Sequence, residues 1–483
     1  MNTISERVNE DSNRYRHTKI IATLGPKTES TESLAALIEA GVDIIRLNMA
    51  HATHAWIEEI AARIRQVSIQ IGREVGLMMD VKGPEIRTGT LEQPIRLELG
   101  DHIEFYTQRA TSHATNIPSV AVNYEGLPAD VAIGGPMLVD SGLIRLQVVD
   151  RDDSHIRARV LTPGMLGSRR HINLPGIHVR LPALTDKDLG DLQVGIRIGI
   201  DFVALSFVRD AEAVVSLRKI LDDAKSPAKI IAKIEDQAGV RNSREIITAA
   251  DAIMVARGDL GIEIEYHKLP LVQTELVRAC RAEGKPVIIA TQLLESMMTS
   301  PIPTRAEVSD VCNAVREQAD AVMLSGETAT GEYPLESIDV IKRILRSIEP
   351  SIDSELNGDL QLLEPKAKML RSAAMLAQSL GESGIVVFTR SGYLAYALGA
   401  LRPRGVPIFA FTDIESTFHQ CMLPWGVEPF RMAFSDDPET TIVNALKTLK
   451  ESRWCHVGTY LVVITNALAS TKIIDTLQLR QVE

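Results

Sequence analysis

From Thr18 onward, short apolar runs alternate with segments whose apolar residues recur at helical spacing. Lys19–Leu24, Asp43–Asn48 and Gly76–Val81 read as strands, and Thr31–Ala40 reads as a helix with Leu34, Leu37 and Ile38 on one face. After an interruption the alternation resumes with Asp201–Phe207, Ile230–Ala232, Ala252–Ala256, Pro286–Ala290 and Asp320–Leu324. Runs this short, largely apolar and separated by helical segments, are the pattern of parallel strands buried on both faces. Before the last of them, Thr304 and Glu307 form a capping box, and Val308, Val311, Cys312 and Val315 make one apolar helix face. About eight βα units are the number that closes a parallel barrel. The expected fold class is therefore α/β, a TIM (β/α)8 barrel.

The interruption has the texture of a β domain. Ile95–Glu98, Ile103–Tyr106, Ser119–Val122, Leu143–Val149 and Ile156–Val160 are β-patterned, and Asp140-Ser141-Gly142 reads as a hairpin turn. It leaves the barrel at Lys82-Gly83-Pro84 and returns near Leu174-Pro175-Gly176, which makes it an inserted small β-barrel lid. After about Pro350, a helical Lys366–Leu380 and strand-like runs at Gly384–Phe388, Pro407–Phe411 and Tyr460–Ile464 predict a C-terminal open-sheet α/β domain. The expected division is an N-terminal segment 1–17, a discontinuous barrel 18–87 and 179–349, a lid 88–178 and a C-terminal domain 350–483. In that last domain Thr389-Arg390-Ser391-Gly392, between strand and helix, has a shape suited to a phosphate, and a plain helix cap explains it equally well.

What the strands deliver at their C-terminal ends is polar. In order these are Gly25-Pro26, Arg46 with Asn48, Asp80 with Lys82, Ser206, Lys233 with Glu235, Arg257 to Asp259, Thr291, and Ser325 to Thr328. A barrel brings all of them onto one face, where barrel enzymes keep their sites. Glu235 and Asp259 make a candidate Mg2+ site, since Mg2+ takes one or two carboxylates plus substrate oxygens and water. Arg46, Lys233 and Arg257 supply positive charge, which implies an anionic substrate such as a phosphorylated acid. The tract Gly258–Gly261 offers backbone N–H groups to an anion.

Composition limits the alternatives. At 483 residues the chain exceeds the size of a single core, so two or three domains are expected. A net charge of −11 argues against nucleic acid or an anionic membrane as partner. The N-terminus is polar, no apolar run approaches membrane-spanning length, and the four cysteines show no CxxC spacing. These features point to a soluble cytoplasmic protein with reduced thiols.

Four longer stretches carry a resemblance. DVKGPEIRTG (80–89), AKIEDQAG (232–239), IMVARGDLG (253–261) and PTRAEVSDVCNAVREQADAVMLSGETATGEYP (303–334) resemble the pyruvate kinase family, in the family's order. The resemblance runs from Thr18 to about Pro334 and continues, more weakly, into the C-terminal domain. It implies phosphoryl transfer from phosphoenolpyruvate to ADP, giving pyruvate and ATP through an enolpyruvate that is then protonated, in a homotetramer with a mobile lid. It further implies Mg2+ (or Mn2+) on Glu235 and Asp259. Arg46 and Lys233 would lie on the transferring phosphoryl group, with Ser206 also in the substrate site. The Gly258 and Asp259 amides would take the substrate carboxylate, and Thr291 would sit beside the methylene carbon. Asn48, His51, Arg87 and Lys187 match positions that contact the nucleotide. A K+ ion would be held by Asn48, Asp80 and the Val81 carbonyl.

The departures bear on two regulators. The family's RLNFSHG reads RLNMAHA (46–52), so Ala50 stands where a serine hydroxyl helps bind K+, and DTKGPEIR reads DVKGPEIR with Val81 for threonine. Glu85 is kept, whereas relatives that dispense with K+ commonly carry lysine there. The C-terminus TNALASTKIIDTLQLRQVE lacks the glycine-rich loop that clamps a sugar bisphosphate, and Tyr393 replaces the usual basic residue of the Ser-Gly-Arg pattern. Activation by fructose 1,6-bisphosphate is not expected; a sugar monophosphate stays open. Two other readings stay open as well: another Mg2+-enolate barrel lyase, and a catalytically silent relative kept for binding.

Overall fold

Eight parallel strands close into a barrel in the computed structural model, which describes residues 16–107, 110, 116–177, 179–352, 355–362, 365–469 and 472–483. They are β1 (Lys19–Thr23), β2 (Ile44–Asn48), β3 (Gly76–Asp80), β4 (Phe202–Leu205), β5 (Lys229–Ile234), β6 (Ala252–Ala256), β7 (Val287–Ala290) and β8 (Ala321–Leu324). Around the barrel the order is β1-β8-β7-β6-β5-β4-β3-β2. Apart from the charged and polar residues they carry toward their ends, the strands are apolar because both faces are covered, by helices outside and by barrel filling inside. The helix Thr31–Ala40 starts on a Ser30 cap and ends on Gly41, whose φ of 107° only glycine takes readily. Thr304 and Glu307 cap Arg305–Arg316 reciprocally, as their spacing predicts.

Between β3 and β4 the chain builds the lid, with its own apolar cluster from Ile86 to Val179. Its main sheet has six strands and a two-stranded ribbon lies beside it. Asp140, Ser141 and Gly142, all at positive φ, turn the hairpin between Pro136–Val139 and Ile144–Arg151. The lid boundary at His178 and the N-terminal residues 1–15 lie outside the described residues.

The C-terminal sheet runs Val427–Arg431, Ile408–Thr412, Ser383–Phe388, Tyr460–Ala469, Lys472–Gln481. Both edges escape the sequence pattern. Val427–Arg431 contains Pro429, tolerated on an edge strand, and the antiparallel Lys472–Gln481 mixes charged and apolar residues without a long run. This domain docks under the barrel: Met422 and Leu423 pack on Ile21, Ile44, Met78 and Phe202. Buried Arg402 reaches Asp320 at 2.6 Å and stacks over Trp425.

A second polar joint is His419, between Asp201 (3.2 Å) and Glu74 (3.0 Å). Burial pulls its pKa down, but the hydrogen bonds to Asp201 and Glu74 prevail and raise it above 6.5. A raised folded pKa contributes stability that is full below the ordinary histidine value and is lost as pH rises through the folded one. The melting-temperature advantage of the native chain over His419→Gln should therefore shrink as pH is raised from below neutrality to well above it. An advantage that grows with pH would show the imidazole to be neutral in the fold.

Candidate active site

The barrel register places the polar strand ends side by side. Asn48 pairs with Asp80 across β2 and β3, and Lys233 with Met254 across β5 and β6, two residues before Glu235. At the centre is a buried ion lattice. The Asp80 carboxylate accepts from Arg46 Nε at 2.6 Å and from Lys233 Nζ at 3.1 Å. Lys233 also lies 3.0 Å from Glu235 Oε1 and donates to Ser206 Oγ at 2.8 Å. Ser206 Oγ in turn donates to the Val81 carbonyl at 2.7 Å, and Arg46 donates to Thr23 Oγ1 at 3.0 Å. Lys233 is 8% exposed, and burial works against its charge; Asp80 and Glu235 outweigh that and raise its pKa, so it is an ammonium.

Glu235 is the member whose carboxyl is held highest, even with Lys233 at 3.0 Å. Burial pushes its carboxyl up to about 7; Lys233 pulls it down, while Asp259 and Asp80 add to the rise. A carboxylate held this high by burial, with Asp259 and Asp80 adding to the rise, is where a divalent cation restores balance. Among the described residues no three His, Cys, Asp or Glu side chains form a ready metal cage. A pair of carboxylates with open positions suits Mg2+, which keeps waters and substrate oxygens in its shell. The donor set fits the ion.

Arg257 requires a correction. The sequence counts it among the cations facing an anionic substrate, yet its guanidinium is 5% exposed and fully employed. It bonds Asp310 at 2.7 Å and the carbonyls of Thr291 and Gln292 at 2.8 and 3.0 Å. With Nε also on the Thr291 carbonyl at 3.2 Å and Nη1 on Asp310 and Gln273 at 2.8 and 3.4 Å, all five donors are spent inside the fold and none is left for a ligand. Its work is to hold the β7 end, where Thr291 (φ 68°) and Gln292 (φ 55°) both sit in the left-handed region. Thr291 Oγ1 thereby accepts the Gly258 N–H at 2.8 Å, so in this structure that amide is met by the hydroxyl.

Comparison with known proteins places the chain in a family. The family model described as pyruvate kinase, barrel domain, matches residues 15–338, and that of the pyruvate kinase alpha/beta domain matches residues 367–478. The chain belongs to the pyruvate kinase family. It is 39% identical over 476 residues to plastidial pyruvate kinase 2 of Arabidopsis thaliana, covering 97% of this chain and 81% of that one. A Staphylococcus epidermidis pyruvate kinase is 39% identical over 463 residues, covering 93% and 77%. The crystal structure of a pyruvate kinase from Cryptosporidium parvum superposes with a TM-score of 0.91 at 34% identity, covering 97% of this chain and 96% of that one. Pyruvate kinases generally work with a divalent metal and K+. The relatives are plastidial as well as bacterial, and among the described residues no helix is long and apolar enough to cross a membrane.

The residues that the pyruvate kinase resemblance places near the nucleotide sit at the rim. Lys187 Nζ bonds the Met49 carbonyl at 2.8 Å and Asp191 at 2.6 Å, His51 is exposed, and Asn48 Oδ1 accepts the Ala50 N–H at 3.2 Å. Arg87 grips Glu85 with two bonds of 2.9 Å, and Lys82 is 3.0 Å from the same carboxylate. Burial alone would raise the Glu85 pKa, but the bonds from Arg87 and Lys82 bring it down to about 2. Two cations of the chain thus already offset the retained Glu85. Thr23, Asp310 and the Phe207 amide, which donates to Glu235 Oε2 at 2.7 Å, are the site members that sequence reasoning missed. Thr23 and Phe207 flank singled-out residues, whereas Asp310 lies mid-helix without a local signal.

Proposed function

We infer that the protein transfers the phosphoryl group of phosphoenolpyruvate to ADP, giving ATP and an enolpyruvate that is protonated to pyruvate. The observation that carries this is the Lys233 ammonium, fixed between Asp80, Glu235 and Ser206. Glu235 and Asp259 would hold Mg2+ or Mn2+, which when bound supplies Lewis-acid stabilisation of the oxygens that gain charge. Arg46 and Lys233 orient the phosphoryl group and meet charge spread over its oxygens. Lys233 then stabilises the enolate oxygen left on the three-carbon acid. To receive the substrate carboxylate, the Gly258 amide exchanges the Thr291 hydroxyl for it, which frees Thr291 beside the methylene carbon. Asn48, His51, Arg87 and Lys187 serve the nucleotide.

The test is a coupled assay with phosphoenolpyruvate, with and without ADP, before and after thorough chelation. Pyruvate formed only with ADP and only with divalent metal supports the reading. ADP-independent turnover favours a lyase, and no turnover at all favours a silent binding protein. We also take the protein to be a cytoplasmic homotetramer with domain limits near residues 88, 179 and 350. Its four free cysteines support the reducing compartment, and light scattering on the full chain tests the assembly.

K+ enters through Glu85. Once Arg87 turns toward nucleotide phosphates, Glu85 loses its main partner in a partly desolvated cleft, and a monovalent cation near Asn48, Asp80 and the Val81 carbonyl offsets the charge. Ala50 gives no side-chain oxygen to that ion. K+ should therefore activate, and Ala50→Ser should lower the K+ concentration for half-maximal rate by a few-fold. Equal rates in K+-free, Na+-free buffer and at saturating K+ would show that Lys82 suffices alone.

A further inference from the structure

The lid is attached to the barrel by two chain crossings, and both press on the same residue. On the outgoing crossing, Gly83 stands so close to Ser206 and Phe207 that a Cβ there would come within 2.9 Å of the Ser206 Cβ and 3.4 Å of the Phe207 ring. On the returning crossing, His171 bridges to Arg87, its neighbour Ile172 donates to the Ile86 carbonyl at 2.8 Å, and its ring meets the Phe207 ring edge-on at 5.9 Å and 64°. Phe207 itself holds a φ of 53°, a conformation that a bulky residue keeps only when its surroundings enforce it. In that conformation its N–H donates to Glu235 Oε2 at 2.7 Å. His171, Phe207 and Glu235 line one cleft between lid and barrel.

We propose that His171 is a positioning residue: by packing on Phe207 it keeps the Phe207 amide on Glu235, and so ties the seat of the lid to the orientation of the metal-binding carboxylate. The inference rests on Glu235 holding the divalent ion, as proposed above. The physical argument is one of preorganisation. Glu235 Oε1 is turned by Lys233 and Oε2 by the Phe207 amide, which together fix the carboxylate plane. Loss of the His171 ring removes one wall from a strained residue, and Phe207 then relaxes toward ordinary backbone geometry, carrying its N–H away. Outer-shell groups of this kind are commonly worth 10- to 100-fold in metal affinity. The contact is made by ring packing and not by charge, so an uncharged aromatic at position 171 should serve as well.

The experiment measures Mn2+ binding to the full-length protein by the loss of the free-ion electron paramagnetic resonance signal, without substrate or turnover. His171→Ala should weaken Mn2+ about tenfold, and His171→Phe should bind as the native chain does. In steady-state assays the alanine variant should need correspondingly more metal for half-maximal rate while KM for ADP stays put. Thermal melts of both variants report whether the lid has folded. Native-like Mn2+ affinity in His171→Ala, or failure of folded His171→Phe to restore it, overturns the proposal. Glu235→Gln is the control on its foundation. If that variant binds Mn2+ as tightly as the native chain, the carboxylate is not the metal ligand and the underlying site assignment falls first. If Glu235→Gln loses the ion while His171→Ala keeps it, only the positioning role is wrong.

Discussion

Lys233→Met should lower kcat by about a thousandfold and leave KM for phosphoenolpyruvate within about tenfold. The ammonium is one of the few charges in the site that is both buried and fixed. It lies 3.1 Å from Asp80, 3.0 Å from Glu235 and 2.8 Å from Ser206, so it cannot swing away to be solvated as charge moves through the reaction. Fixed charge in a low-dielectric setting stabilises developing negative charge far better than water does. In the proposed site the substrate's charges before reaction would be shared among Arg46, the metal and backbone amides, so removal of one cation would be felt less in binding. Only interactions stronger in the transition state than in the ground state raise kcat, and the enolate oxygen that the proposed reaction would develop next to Lys233 would be such a case. Methionine keeps the length and volume of the side chain, which limits repacking. Steady-state kinetics decides it. A loss confined to KM would make Lys233 a ground-state binding residue.

The barrel was legible because its strands carry one simple signal, an apolar run that ends on charge, and the same closure follows from Lys19–Thr23 as from Ala252–Ala256. Capping chemistry was equally plain, since Thr304 and Glu307 act within one helical turn. What escaped was whatever depends on distant partners. Pro136–Val139 in the lid and both edge strands of the C-terminal sheet are held by neighbours rather than by their own patterns. Arg257 shows the same limit in the site. Its position at a strand end marked it as a ligand-facing cation, but Asp310, 53 residues away, and two carbonyls after β7 claim it. Asp80 was legible only as an oxygen donor for K+, whereas the structure makes it the counter-ion on which Arg46 and Lys233 both rest.

That role gives Asp80→Asn the second largest expected effect. Asp80 is 2% exposed, and each of its oxygens is committed to a cation, Oδ2 to Arg46 and Oδ1 to Lys233. Burial by itself would raise its pKa, but Arg46 first and Lys233 second reverse that and hold it below 3.8. A depressed carboxyl contributes stability that is present above its ordinary pKa and lost as pH falls through the folded value. Asparagine keeps the shape and removes the charge, which leaves a buried guanidinium and ammonium facing each other with Glu235 as the remaining anion. Breaking a buried pair from one side costs about 3–5 kcal/mol, mostly from the charge left behind. Asp80→Asn should therefore lower the denaturation midpoint by an amount corresponding to about 3 kcal/mol at neutral pH, and the gap to the native chain should close in strongly acidic buffer. Turnover should fall about a hundredfold, because Lys233 is then drawn toward Glu235 and away from the reacting oxygens. K+ activation should weaken in the same variant, since the candidate cation site loses its carboxylate. Chemical denaturation across pH and initial rates at saturating substrate supply the two readouts. Native-like stability together with native-like kcat would mean that Arg46 and Lys233 are held by the barrel wall alone, and that the carboxylate between them is incidental to both fold and site.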